Sequence, residues 1–155
     1  MSRKKKHTHS IKKSINYTGT LDIARSGIGY VVIAGAGNDV LVRPGSFANA
    51  LHGDTVQVKI IKENQTSGKR EGRIIKVISR RQTQFTGVVH LSTNYAFFIP
   101  DTDRPMPDFY IPLENLNGAK NKDHVVALLE KWGSDERKPI GKIQSILEAG
   151  NENDV

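Results

Sequence analysis

From residue 17 onward the chain alternates between short stretches rich in apolar or β-branched residues and clusters of turn formers. In the first half the stretches are 17–23, 28–33, 39–43, 55–62 and 70–78. They are separated by Ser26-Gly27, Gly35-Ala36-Gly37-Asn38, Pro44-Gly45-Ser46, Gly53-Asp54 and Ser67-Gly68. In the second half they are 85–91, 95–100, 108–112, 124–131 and 139–147, broken by Ser92-Thr93-Asn94, a proline-rich loop from Asp101 to Pro107, Asn117-Gly118 and Gly133-Ser134-Asp135. Runs of this length with such boundaries predict strands, five in each half. Between the third and fourth strands, Ser46 to Leu51 is expected to form a single helical turn capped by Ser46.

The two halves carry the same motifs in the same order. Tyr17-Thr18-Gly19-Thr20-Leu21 returns as Phe85-Thr86-Gly87-Val88-Val89, and Gly29-Tyr30-Val31-Val32 as Ala96-Phe97-Phe98-Ile99. Asp39-Val40-Leu41-Val42 returns as Asp108-Phe109-Tyr110-Ile111, Gly53-Asp54-Thr55-Val56 as Lys122-Asp123-His124-Val125, and Gly72-Arg73-Ile74 as Gly141-Lys142-Ile143. The offset stays between 67 and 69. This period exceeds that of the common solenoid repeats, so each copy is expected to be a small domain with its own core.

The expected organisation is a basic, disordered tail over 1–16, a first domain over 17–81, a second over 82–150, and the start of a linker over 151–155. Five strands closing on one another remove the exposed edges of a two- or three-stranded sheet. The fold class is therefore all-β, two tandem five-stranded OB barrels, with an SH3-like barrel as the alternative.

Charge divides unevenly between these parts. The net +7 resolves into +6 over 1–16, +5 over 17–81 and −4 over 82–155. The tail and first module are thus the electrostatic attractors, and the second module has no net charge with which to draw phosphate. Cysteine is absent, which excludes a disulfide framework, thiol catalysis and thiolate metal sites, and suits a reducing compartment. No run approaches the length of an apolar membrane span, and no secretory signal opens the chain. A cytoplasmic monomer without membrane contact is expected.

Strand alternation sorts the remaining candidates by face. If Val31, Val40 and Val42 point into the first barrel, its outer face carries Ile28, Tyr30, Leu41 and Arg43. The same rule displays Tyr95, Phe97 and Tyr110 on the second and sends Phe98, Phe109 and Ile111 inward. Exposed aromatics on adjacent strands suit single-stranded nucleic acid, because every base offers a π-face.

At this point a resemblance emerges. Arg25-Ser26-Gly27-Ile28-Gly29-Tyr30-Val31 followed by Asp39-Val40-Leu41-Val42 resembles the paired RNA-binding motifs of cold-shock domains. Asn49-Ala50-Leu51-His52-Gly53-Asp54-Thr55-Val56 is similar to the segment closing the first such domain in the ribonuclease R/ribonuclease II family. Asn94-Tyr95-Ala96-Phe97-Phe98-Ile99, Asp108-Phe109-Tyr110-Ile111-Pro112 and Trp132 through Pro139-Ile140-Gly141 resemble the second. The match covers about residues 17–149, and its specificity lies in the ordered series. It implies the amino-terminal region of a processive 3′→5′ exoribonuclease, whose tandem cold-shock domains guide single-stranded RNA to a separate magnesium-dependent catalytic domain of the same chain. Carried onto this sequence, the RNA-binding residues are Arg25, Ile28, Tyr30, Leu41 and Arg43, with Tyr95, Phe97 and Tyr110. Ile28 and Leu41 stand where the cold-shock pattern prefers phenylalanine, and Arg43 near a customary histidine. Tyr30 is then the clear stacking platform of the first module, and Arg43 the residue to stack or pair with phosphate.

Catalytic chemistry is not expected from these residues themselves. Asp101, Asp103 and Asp108 form an acidic cluster, but Pro105 and Pro112 occupy places where a calcium loop needs oxygen ligands. Gly27-Ile28-Gly29 and Gly35-Ala36-Gly37 are too short for a phosphate loop. No cofactor and no metal are assigned to this chain, and magnesium is expected only in the catalytic domain that the resemblance implies. Two rival functions remain, a stand-alone RNA chaperone and an OB module that binds protein.

Overall fold

The computed structural model describes residues 16–35, 37–133 and 137–150. It divides into two compact units between Arg81 and Gln82. Each unit is a closed five-stranded barrel. The first comprises β1 (Asn16–Ile23), β2 (Gly29–Val32), β3 (Val40–Val42), β4 (Thr55–Glu63) and β5 (Arg70–Ser79). The second comprises β6 (Gln84–Leu91), β7 (Ala96–Pro100), β8 (Phe109–Ile111), β9 (His124–Lys131) and β10 (Ile140–Glu148).

Strand order around the first barrel is β1-β2-β3-β5-β4, with β4 closing on β1. The second repeats it as β6-β7-β8-β10-β9. All neighbours are antiparallel except β3 with β5 and β8 with β10. This is the OB order, and full closure leaves neither barrel with an open edge. The expected basic tail lies, apart from Asn16, outside the described residues, as do 151–155. Among the described residues no helix is long and apolar enough to cross a membrane.

Period-two alternation decides which residues enter each core. In the first barrel Leu21, Ile23, Val31, Val40, Val42, Val56, Val58 and Ile74 are buried, an all-aliphatic set. The second core replaces Val31 and Val40 by Phe98 and Phe109, both completely buried. The added volume is offset in part nearby, since Ala127 stands in place of Val58 and Val89 in place of Leu21. Phe109 meets Phe98 with ring centroids at 5.3 Å and Phe85 edge-on at 5.3 Å. Compensating changes of side-chain size are how two diverged copies keep one backbone.

The backbone repeats as closely as the topology. Gly19 is a glycine because a Cβ there would lie 2.5 Å from the Val32 carbonyl oxygen, and at Gly87 it would press on the Ile99 carbonyl. The long β4–β5 pair carries three register shifts that leave Ile61, Ile75 and Ile78 without cross-strand partners. The β9–β10 pair does the same at Glu130, Gln144 and Leu147, each 69 positions later. Such bulges bend and twist a strand pair, which lets two long strands wrap a small barrel.

One local expectation is corrected. The helical turn after β3 spans Pro44–Ser46, one turn of 3₁₀ helix, with Arg43 at its N-cap and no side-chain cap. Pro44 at the first position presets φ and needs no N–H partner, so the turn starts there and Ser46 ends it rather than capping it. In the second unit Leu113–Asn115 forms the corresponding turn after Pro112.

Candidate nucleic-acid interface

In the second unit, β7 and β8 pair Ala96 with Ile111, Phe97 with Tyr110, and Phe98 with Phe109. Because Ala96, Phe98, Phe109 and Ile111 are buried, the alternate residues Phe97 and Tyr110 stand on the outer face. Tyr95, just before β7, joins them and is 38% exposed. The Tyr95 ring lies 5.1 Å from that of Phe97 and 6.2 Å from that of Tyr110, and Phe97 and Tyr110 are 6.5 Å apart. Three rings thus make one contiguous aromatic surface, held against a rigid sheet on its inner side.

A cation completes this surface. Lys138 Nζ sits 5.6 Å from the Phe97 ring centroid. It is placed by backbone pairing, since Tyr110 N donates to Pro139 O at 2.8 Å and Ile140 pairs parallel with Tyr110. An ammonium over an aromatic face is favourable in itself and puts positive charge where the phosphate of a stacked nucleotide would pass.

The first unit presents a different surface at the same place on the barrel. Tyr30 pairs with Leu41 across β2 and β3, and Tyr30 is 37% exposed. Both line a concave groove of about 620 Å³, whose other lining residues include Lys62, Lys69 and Arg70 together with the acidic Asp39, Glu63 and Glu71. Arg70 is fixed there twice, through Nη2 donating to Asn38 O at 2.6 Å and through its guanidinium carbon 5.5 Å from the Tyr17 ring centroid. Arg43 is exposed on the same face, and its Nε donates to Glu71 Oε2 at 3.1 Å. Ile28 is half-buried and Arg25 exposed in the turn closed by Ala24 N donating to Ile28 O. Arg25, Ile28 and Arg43 are not among the groove's lining residues.

Residues 19–77 match the family model described as the ribonuclease B OB domain, and residues 97–155 match that of the cold shock domain. Ribonuclease R of Vibrio parahaemolyticus is 34% identical over 113 residues, covering 73% of this chain and 13% of that protein. Ribonuclease R of Thermotoga maritima is 30% identical over 129 residues, 83% of this chain and 18% of that protein. The chain belongs to the ribonuclease R family, through its OB and cold-shock region. It therefore spans less than a fifth of the length of these curated relatives. Among solved structures, Mycoplasma genitalium RNase R in complex with ribose methylated single-stranded RNA superimposes with a TM-score of 0.75 at 14% identity, covering 85% of this chain and 21% of that one. Yeast Ssd1, a pseudonuclease, gives 0.72 at 18% identity, covering 94% and 24%. At these identities the two structures speak of fold alone.

Asp101 Oδ2 is 2.6 Å from His124 Nε2, and Asp103 Oδ1 is 3.9 Å from Arg104 Nε, so these carboxylates are engaged by cations or a ring nitrogen rather than converging on one point. Among the described residues no group of three or more His, Cys, Asp or Glu is arranged to hold a metal ion.

Sequence reasoning missed Lys138, Lys62, Lys69 and Arg70 in this ribonuclease R region. Lys69, Arg70 and Lys138 reach their places through the parallel β3–β5 and β8–β10 contacts between strands distant in sequence, and Lys62 through its pairing with Glu71 on β5. The run Lys69-Arg70 at the head of a strand was the signal available.

Proposed function

We propose that the chain binds single-stranded RNA on the outer β2–β3 and β7–β8 faces and guides it to a magnesium-dependent 3′→5′ exoribonuclease domain. In this reading the second unit stacks bases on Tyr95, Phe97 and Tyr110, with Lys138 at the backbone. The first unit stacks one base on Tyr30 and tracks phosphates along Lys62, Lys69 and Arg70, with Arg25, Ile28, Leu41 and Arg43 around that path. The observation that carries it is the contiguous trio of outward rings on paired strands beside a lysine. Three aromatic rings gathered on an outer face offer a stacking platform, on which each stacked base is worth about 1–3 kcal/mol. The RNA complex solved for the Mycoplasma relative supports the same reading. So does the charge of +5 over 17–81. Action in the cytoplasm, as a monomer, is part of the proposal.

Fluorescence anisotropy with labelled oligouridylate tests it. Micromolar or tighter binding that weakens with salt is the expected result. Binding no stronger than that of a Tyr95→Ala/Phe97→Ala/Tyr110→Ala variant would show that the aromatic face is not used, and would move a protein ligand for the acidic second unit ahead.

A further inference from the structure

Glu71 stands in the groove between two cations. It lies on β5 at the register position that pairs in parallel with Leu41 and antiparallel with Lys62, at the floor of the groove that Tyr30 lines. Oε2 accepts from Arg43 Nε at 3.1 Å, and Oε1 lies 3.8 Å from Lys62 Nζ. Its side chain is only 20% exposed, whereas those of Arg43 and Lys62 are 60% and 74% exposed. One carboxylate, held from below by the sheet, thus spans two cations that reach up around it from β3's end and from β4.

This is the geometry of an anion site whose anion is part of the protein. A guanidinium and an ammonium converging on two oxygens is also how a phosphodiester is held. A carboxylate in that position competes with phosphate for the same donors. The second unit has no counterpart, because the 69-residue offset puts Ile140 in place of Glu71 and Pro112 in place of Arg43.

We infer that Glu71 is a resident phosphate surrogate that restrains RNA binding by the first unit, so that a strand enters the groove by exchanging its phosphate for the Glu71 carboxylate on Arg43 and Lys62. This rests on the reading that the groove binds RNA. Its consequence is that the first unit holds a strand more loosely than its net charge would dictate. A module that must let RNA slide benefits from such a built-in competitor.

The test compares the full chain with Glu71→Gln, Glu63→Gln and Arg43→Gln/Glu71→Gln, using labelled oligouridylate over a range of salt. Glu71→Gln is expected to tighten binding roughly two- to fivefold, the effect of removing a competing surface ion pair. Its slope of log K against log salt should steepen by about 0.7–1.4, one or two phosphate contacts. The double variant should lose most of the gain. Glu63→Gln, which changes net charge equally, should gain less; an equal gain would reduce the effect to net charge and overturn the inference. A Glu71→Gln variant that stays folded and binds no tighter would also overturn it. A readout on the unaltered chain guards against a variant that fails to fold: the Arg43 Nε–H NMR resonance should shift as RNA is added, and an unmoved resonance at saturating RNA overturns the exchange. If the unaltered chain binds no RNA, the proposed function fails and this inference with it; if it binds and only the Glu71 arms misbehave, the failure belongs to this inference alone.

Discussion

Asp54 and Asp123, separated by 69 positions, make the same set of backbone contacts in their two barrels. Asp54 Oδ2 accepts from Leu51 N at 2.8 Å, Oδ1 from Arg81 N at 3.0 Å, and its carbonyl from Leu21 N at 2.9 Å. Asp123 accepts from Lys120 N at 2.8 Å, Gly150 N at 2.9 Å and Val89 N at 3.0 Å through the equivalent atoms. Each carboxylate ties the loop before the fourth strand to the chain leaving the fifth, and both residues are buried. The Gly-Asp and Lys-Asp dipeptides of the repeat are therefore structural locks.

The locks differ in one partner, which makes their strengths predictable. Asp54 Oδ2 also accepts from Arg80 Nη1 at 2.7 Å, and that arginine is itself mostly buried. Asp54→Ala should cost about 2–4 kcal/mol, because it leaves two buried N–H donors unsatisfied and removes the charge-assisted bond to Arg80, whose Nη1 keeps its bond to Asn49 O at 2.8 Å. Asp123→Ala strands only the donors, at about 1–3 kcal/mol for a buried group left unsatisfied. Denaturant unfolding of the two variants measures the difference, and equal losses would show that the Arg80 contact adds nothing to the lock.

A second consequence of the repeat concerns backbone strain. Ala48 has φ of 56°, a left-handed conformation, and its counterpart 69 positions later is Asn117 with φ of 51°. Asparagine tolerates this region better than alanine. Asn117 Nδ2 also donates to Ile143 O at 3.3 Å and Gln144 O at 3.2 Å. Ala48→Asn should therefore stabilise the first unit by about 0.5–1 kcal/mol. In a domain of this size that raises the Tm by roughly 2–8 °C.

What the sequence made legible was whatever depends on neighbours a few residues apart. Strand positions, the buried set Val31, Val40, Val42, Phe98, Phe109 and Ile111, and the outward direction of Tyr30 and Phe97 all follow from alternation, and the repeat confirmed each against its copy. What stayed hidden depends on pairing across the barrel. Lys138 reaches Phe97 only because β10 runs parallel to β8, and Glu71 meets Arg43 only because β5 runs parallel to β3. The turn at Pro44–Ser46 was misread for a local reason, since a proline at its first position outweighed the capping preference of Ser46.

The hidden cations allow a salt-dependence prediction. Lys69 lines the groove of the first unit and Lys138 stands over the aromatic surface of the second. Replacing either by glutamine should weaken binding of single-stranded RNA without altering preference among sequences. The slope of log K against log salt should fall by about 0.7 for each, the value of one phosphate contact on a single strand. Anisotropy titrations at several salt concentrations measure it, and a slope unchanged in the Lys138 variant would leave that lysine with a packing role on Phe97.

The last prediction separates the stacking face from the core, residue by residue. Phe97 and Phe98 are consecutive, yet one belongs to the outer aromatic surface and the other is completely buried. Changing Tyr95, Phe97 or Tyr110 singly to alanine should weaken single-stranded RNA binding by about 1–3 kcal/mol, the worth of a base stack. Stability should fall less, because none of these rings is fully buried as Phe98 and Phe109 are. Changing Phe98 or Phe109 to alanine should cost about 3–5 kcal/mol of stability, the usual penalty for emptying a buried phenylalanine site. Phe109 should stand at the upper end, because its ring touches both Phe85 and Phe98 and its loss empties the centre of the cluster. Thermal melts and anisotropy on the same five variants give two independent columns of numbers. Outer-face variants should move the affinity column and core variants the stability column. If outer-face variants keep both affinity and stability, the second unit does not use this face for RNA, and a protein ligand for that unit becomes the reading to test.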